Sequence, residues 1–130
     1  MRTKPCDASI RRGRLRKANQ FLDASDQVRD LTSDVRDVAD ACITLYVNSG
    51  IAAADVICCA RLGEHAQGDN HAEAIALLKS AAPGAARHLG VLLGLKTKSA
   101  YSHEPAAERD VTRAGRAAAA LIEQARRASA

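Results

Sequence analysis

The segment Lys96-Thr97-Lys98-Ser99-Ala100-Tyr101-Ser102-His103 gathers two cations, three aliphatic hydroxyls, a phenol and an imidazole. That set suits phosphodiester transfer. Lys96 or Lys98 would offset charge building on a phosphorane. His103, which titrates near neutrality, would move the proton. Tyr101 either adds its hydroxyl to such a site or packs as one of the chain's few large residues. The same residues also suit a plain helix end. Lysines in a last turn gain about 0.3–1 kcal/mol from the helix dipole, and a histidine in the following loop is at home in water.

Asp55 is a carboxylate in the apolar run Ala52-Ala53-Ala54-Asp55-Val56-Ile57. It either faces out or is buried with a partner, and Lys96, Lys98 and Tyr101 are the candidates. Arg61, Glu64 and His65 follow at the end of the same helix, as a site or a solvated rim. Cys58, Cys59, His65 and His71 have the composition of a zinc site but not its spacing. Adjacent residues of a helix diverge by about 100°, and no Cys-x-x-Cys or His-x-x-x-His pair exists. No metal or cofactor is expected. The four cysteines are expected to be reduced thiols, as in a cytosolic protein.

Residues 1–17 carry seven bases and one acid, while the whole chain is only +4. Arg11, Arg12, Arg14, Arg16 and Lys17 form a footprint for nucleic-acid phosphates or a solvated helix start. No aromatic lies among them and no helix-turn-helix pattern follows, so sequence-specific DNA reading is not expected.

The elements that must position these residues are helical. Of 130 residues, 28 are alanine and only three are aromatic. Alanine is the best helix former, and so aromatic-poor a chain excludes a base-stacking sheet. Leu, Ile, Val and Phe total 26, near the lower limit for a packed core. No run of 18 or more apolar residues is present, so no membrane span is expected, and the basic N-terminus lacks the apolar stretch of a secretory signal. A cytoplasmic protein is expected, and the Ala/Arg bias is that of a high-GC bacterial gene.

Residues 1–10 are expected to be a mobile basic arm, and 11–130 one helical bundle. Helical spacing predicts a helix over about 11–27. A second runs over 33–62, capped by Thr32 or Ser33, continuous through Gly50 and ended by Gly63. A short one begins after the cap Asn70. Another spans 85–100, with Gly90 and Gly94 leaving a flat side for close approach. The last opens with Pro105 in its first turn. The fold class is therefore all-α, four long helices plus one short one.

Three stretches resemble small bacterial HEPN domains: Val35 to Leu62, Asn70 to Leu78, and Ala85 through "LLGLKTKSAYSH" into the final Ala/Arg helix. The resemblance covers about residues 12–128. It implies a helical bundle, a homodimer and, in many members, a metal-independent RNase or toxin paired with an antitoxin such as a nucleotidyltransferase. The family's active motif is an arginine, four to six residues, then a histidine. Here His103 takes the histidine position, and the cation is Lys98 with four residues between or Lys96 with six. Lysine supplies charge without the planar fork of arginine. Two readings follow: an RNase or nucleotide-phosphate-binding protein using His103, Lys98, Lys96 and Tyr101, or a non-catalytic interaction module. A third, nucleic-acid association through the basic segment, rests on charge alone.

Overall fold

A computed structural model describes residues 2–130. Among them five α-helices and one two-stranded sheet form an all-α bundle. The elements are β1 (Thr3–Pro5), α1 (Ala8–Leu31), α2 (Ala39–Leu62), β2 (Glu64–Ala66), α3 (His71–Ala81), α4 (Pro83–Tyr101) and α5 (Glu108–Ser129).

α2 is the central helix. It packs on α1, α3, α4 and α5, so it is apolar on nearly every side, as a helix with core all round must be. Its length and composition alone would let it cross a membrane, yet 72% of its most apolar window is buried inside the bundle. Of the seam that the spacing predicts from Val35 to Ala60, Ala39, Cys42, Tyr46, Ser49, Ala53 and Val56 are buried, while Ala60 is half-buried and Val35 lies half-buried in the turn before the helix. Two buried hydroxyls tie α1 to this helix. Ser25 donates to the carbonyl of Cys42 at 3.0 Å, and Ser49 donates to that of Ala18 at 2.7 Å. Each satisfies a polar group that would otherwise cost about 1–3 kcal/mol when buried.

Gly50 shows why α2 runs through its glycine. A Cβ there would overlap Leu92 Cδ1 and stand 3.2 Å from Leu121 Cδ1. The side chain is missing where α4 and α5 press on α2. The close approach is thus at Gly50 and not at Gly90 or Gly94. Gly94 has nothing within 4 Å, and Gly90 only Ile75 Cδ1 at 3.9 Å. Gly63 ends α2 in the left-handed region (φ 72°), its N–H bonded to the carbonyl of Cys59.

Several boundaries depart from expectation. α1 runs four residues further, to Leu31. A 3₁₀ turn at Val35–Asp37, capped by Asp34 rather than by Thr32 or Ser33, precedes α2. Pro83 opens α4, where its missing N–H costs nothing. Pro105 lies in the loop, and α5 starts only at Glu108. Asn70 caps α3 as expected, accepting from Glu73 N–H at 3.0 Å.

The largest correction concerns residues 2–10, the described part of the expected arm. They do not form a free arm. Thr3–Pro5 pair antiparallel with Glu64–Ala66, in the register Thr3–Ala66, Lys4–His65 and Pro5–Glu64. Asp7 caps α1, accepting from Ile10 N–H. Cys6 is joined to Cys59 in a disulfide, with Cα atoms 5.7 Å apart. Only Cys42 and Cys58 remain free, both buried. A pairing across 53 residues cannot be inferred from cysteine spacing, because Cys6 reaches Cys59 through the sheet.

Candidate functional site

The sequence offers Lys96, Lys98, Tyr101 and His103 as members of one site at the junction after α4. The structure separates them. Lys98 turns toward α5 and donates to Asp110 Oδ2 at 3.0 Å. Asp110 sits in the first turn of α5 with its side chain only 2% exposed, and Arg113 Nη1 stands 3.5 Å from its other oxygen. Such burial is tolerable for a carboxylate only with partners of this kind. The Lys98 hydrogen bond, against the cost of burial, holds the Asp110 carboxyl below its ordinary range. Tyr101 does not pack: it is 87% exposed. His103 is 95% exposed at its side chain, with Glu104 Oε1 4.0 Å away. Ser99 donates to Asp40 Oδ1, and the N–H of Ala106 reaches Asp40 Oδ2 at 3.4 Å. These bonds pin the end of α4 and the following loop to the start of α2.

The Asp110 arrangement gives a signed pH effect. A carboxyl depressed in the folded state adds stability that is present above its unfolded pKa and lost as pH falls through the folded pKa. Acid titration of the wild type should therefore show a limb that Asp110→Asn flattens. An unchanged limb in that variant would assign the acid transition elsewhere.

Asp55 lies on a different face. Its side chain is 14% exposed, and its partner is neither Lys96, Lys98 nor Tyr101. Arg14 from α1 supplies both contacts, Nε at 3.0 Å and Nη2 at 2.8 Å, and both fall on Oδ2. His65 Nδ1 is 4.0 Å from Oδ1 but only 2.8 Å from the carbonyl of Ala66, so its ring donates there. Among the described residues no donor stands within hydrogen-bond distance of Asp55 Oδ1. Burial pushes the Asp55 carboxyl up, while Arg14 and then His65 pull it down. Cys58, one turn on, is a neutral thiol. Burial, with Asp55 and Glu64 nearby, pushes it up to about 12.

Asp55 and Cys58 open onto a cavity of about 150 Å³ between α2, α3, α4 and the loop after β2. Ile51, Ala54, Leu89 and Leu93 give it an apolar floor; His71 and Lys96 stand on its polar side. Lys96 thus belongs to this cavity as well as to an open groove beside Asp40 and Ser99. Of the two alternatives that the sequence leaves open for Asp55, the structure shows burial with a partner. Sequence reasoning missed Arg14 as the partner, 41 residues earlier, and it missed Asp110, whose sequence context is that of an ordinary charged helix start.

The basic segment is divided as well. Arg12, Arg16 and Lys17 are exposed, Arg14 is committed to Asp55, and Arg11 is half-buried with its Nε enclosed. A further network was not foreseen. The buried Tyr46 donates its hydroxyl proton to Asp26 Oδ1 and accepts from Arg29 Nη1 at 3.2 Å. Arg29 also reaches Thr112 Oγ1 at 3.4 Å, so this network ties α1, α2 and α5 together.

Comparison with family models, curated proteins and solved structures finds no match for this chain.

Proposed function

We propose that the chain is a HEPN-like interaction module of the bacterial cytoplasm, acting as a homodimer or on a protein partner, without a catalytic centre of its own. The observation that carries this reading is the pairing of Lys98 with buried Asp110. The cation separated from His103 by four residues is thereby neutralised, and the histidine stands in solvent. The same end of the bundle carries two large exposed apolar residues. Leu31, at the end of α1, is 88% exposed and Tyr101, at the end of α4, is 87% exposed. Aromatic side chains presented in this way are the usual anchors of protein interfaces. Size-exclusion mass measurement tests it. The expected species has twice the 13.7 kDa chain mass, or binds a partner as a monomer, and Tyr101→Glu weakens either association at least tenfold. Unchanged association in that variant overturns the assignment of the surface.

A second reading, an RNase completed between two copies, is favoured by the exposure of His103 and by Lys96, which has no ion-pair partner among the described residues. A second copy would bring its own cation to that imidazole. Incubation with total RNA in EDTA separates the readings. The module leaves RNA intact. Degradation that disappears in His103→Ala establishes the RNase and reopens a toxin role with a nucleotidyltransferase antitoxin. RNA attraction through Arg12, Arg16 and Lys17 would show in either case as steep salt dependence.

A further inference from the structure

The Asp55 cavity has features that neither an interface nor an RNase uses. It joins an apolar floor of Ile51, Leu89 and Leu93 to groups of both charge signs. Arg14 spends both its contacts on Oδ2, so it fixes the carboxylate and leaves Oδ1 as an acceptor with no donor in reach. Oδ1 is not sealed from solvent, so it can accept from water or from a ligand that enters the cavity. Lys96 supplies an exposed cation on the same cavity. A cavity of this size has room for a molecule of roughly benzene's bulk. The occupant that meets all of these features at once has a short branched apolar body, an ammonium and a carboxylate.

We propose that this cavity is a binding site for a small apolar α-amino acid, its ammonium donating to Asp55 Oδ1, its carboxylate meeting Lys96 and its side chain on the Ile51–Leu89–Leu93 floor. Arg14 is then a positioning residue. It holds Asp55 charged and aimed, so the ligand meets a preformed acceptor and loses less on ordering the site. The closing loop is part of the construction. Ala66 of β2 and Gly68 line the cavity, and the guanidinium of Arg2 packs against Gly68. The disulfide-held N-terminal strand thus braces the cavity's rim.

The experiment is a titration of the full chain with L-valine, followed by calorimetry and by backbone amide shifts of residues 51–58 and 89–96. Isobutylamine and isobutyrate serve as the two half-ligands. L-Valine is expected to bind and to shift those amides, and each half-ligand to bind at least tenfold more weakly. Lys96→Met, at an exposed position that should not disturb folding, is expected to weaken L-valine at least fivefold and to leave isobutylamine unchanged. Asp55→Asn should weaken both. Isobutylamine binding as tightly as L-valine would overturn the zwitterion assignment. The absence of L-valine binding, or binding insensitive to both substitutions, would overturn the site. None of these readouts depends on self-association or RNA cleavage, so the site can fail while the interaction module stands.

Discussion

Cys6→Ser, or reduction of the wild type, will lower the unfolding free energy by roughly 4 kcal/mol. The disulfide closes a loop of 53 residues, and the chain-entropy cost of leaving a loop of that length open in the unfolded state has this size. For a domain of this length the loss corresponds to a fall in Tm of about 15 °C. Local consequences follow from the same geometry. β1 is only three residues long and pairs with a strand equally short. A ribbon of that size has little stability of its own. Released from Cys59, the strand should exchange its amide protons faster, and Asp7 should cap α1 less well. The clean measurement is a set of four melts: wild type and Cys6→Ser, each with and without reductant. Reductant should bring the wild type down to the variant and leave the variant where it is. Equal melts in all four would mean that the bridge contributes nothing. Alkylation of the reduced chain should label Cys6 and Cys59 well before Cys58. A thiol needs its thiolate to react, and the buried Cys58 is held neutral up to about pH 12. If the protein is cytoplasmic, as proposed, the bridge would be open under reducing conditions and would close on oxidation.

The helices were legible because alanine propensity, capping residues and a three-and-four spacing of apolar positions all point the same way. Periodicity alone gives the α2 seam from Val35 to Ala60 and the α5 face from Ala107 to Ala125; both are buried except at their ends, where Val35 and Ala60 are half-buried and Ala107 is exposed. What periodicity cannot carry is the pairing of residues far apart in sequence. Cys6 with Cys59, Arg14 with Asp55 and Lys98 with Asp110 each depend on how one element lies against another. Nothing local distinguishes Asp110 from the neighbouring charges at the start of α5. Density of functional groups also misled: Lys96 to His103 is rich in chemistry along the chain, but a helix turns successive residues by about 100°. Lys96 and Lys98 accordingly leave toward different neighbours. Asp55 was the better sequence signal, because a carboxylate within an apolar run must answer for its burial.

The second large effect is expected at that carboxylate. Arg14→Ala will destabilise the protein by about 3 kcal/mol at neutral pH, as removal of one partner from a buried pair does. Asp55 keeps 14% side-chain exposure and Arg14 27%, so the value belongs at the lower end of the range for fully enclosed pairs. Its pH dependence identifies the cause. Burial already raises the Asp55 carboxyl, and Arg14 is the strongest influence opposing it. Without Arg14 the folded pKa rises further. A carboxyl raised in the folded state contributes stability that is complete below its unfolded pKa and is lost as pH rises through the folded value. The gap between wild type and Arg14→Ala should therefore be widest near neutrality and close as pH falls toward the ordinary aspartate range, where Asp55 is neutral in both. Removing the second charge should also close it. Arg14→Ala combined with Asp55→Leu leaves no unpaired carboxylate, so the double variant should recover most of the loss. A penalty equal at acid and neutral pH, or no recovery in the double variant, would show that Arg14 stabilises the bundle through packing of its aliphatic stem. Recovery with loss of L-valine binding would separate the two roles of Asp55: a liability to folding that Arg14 offsets, and the acceptor that the cavity presents to its ligand.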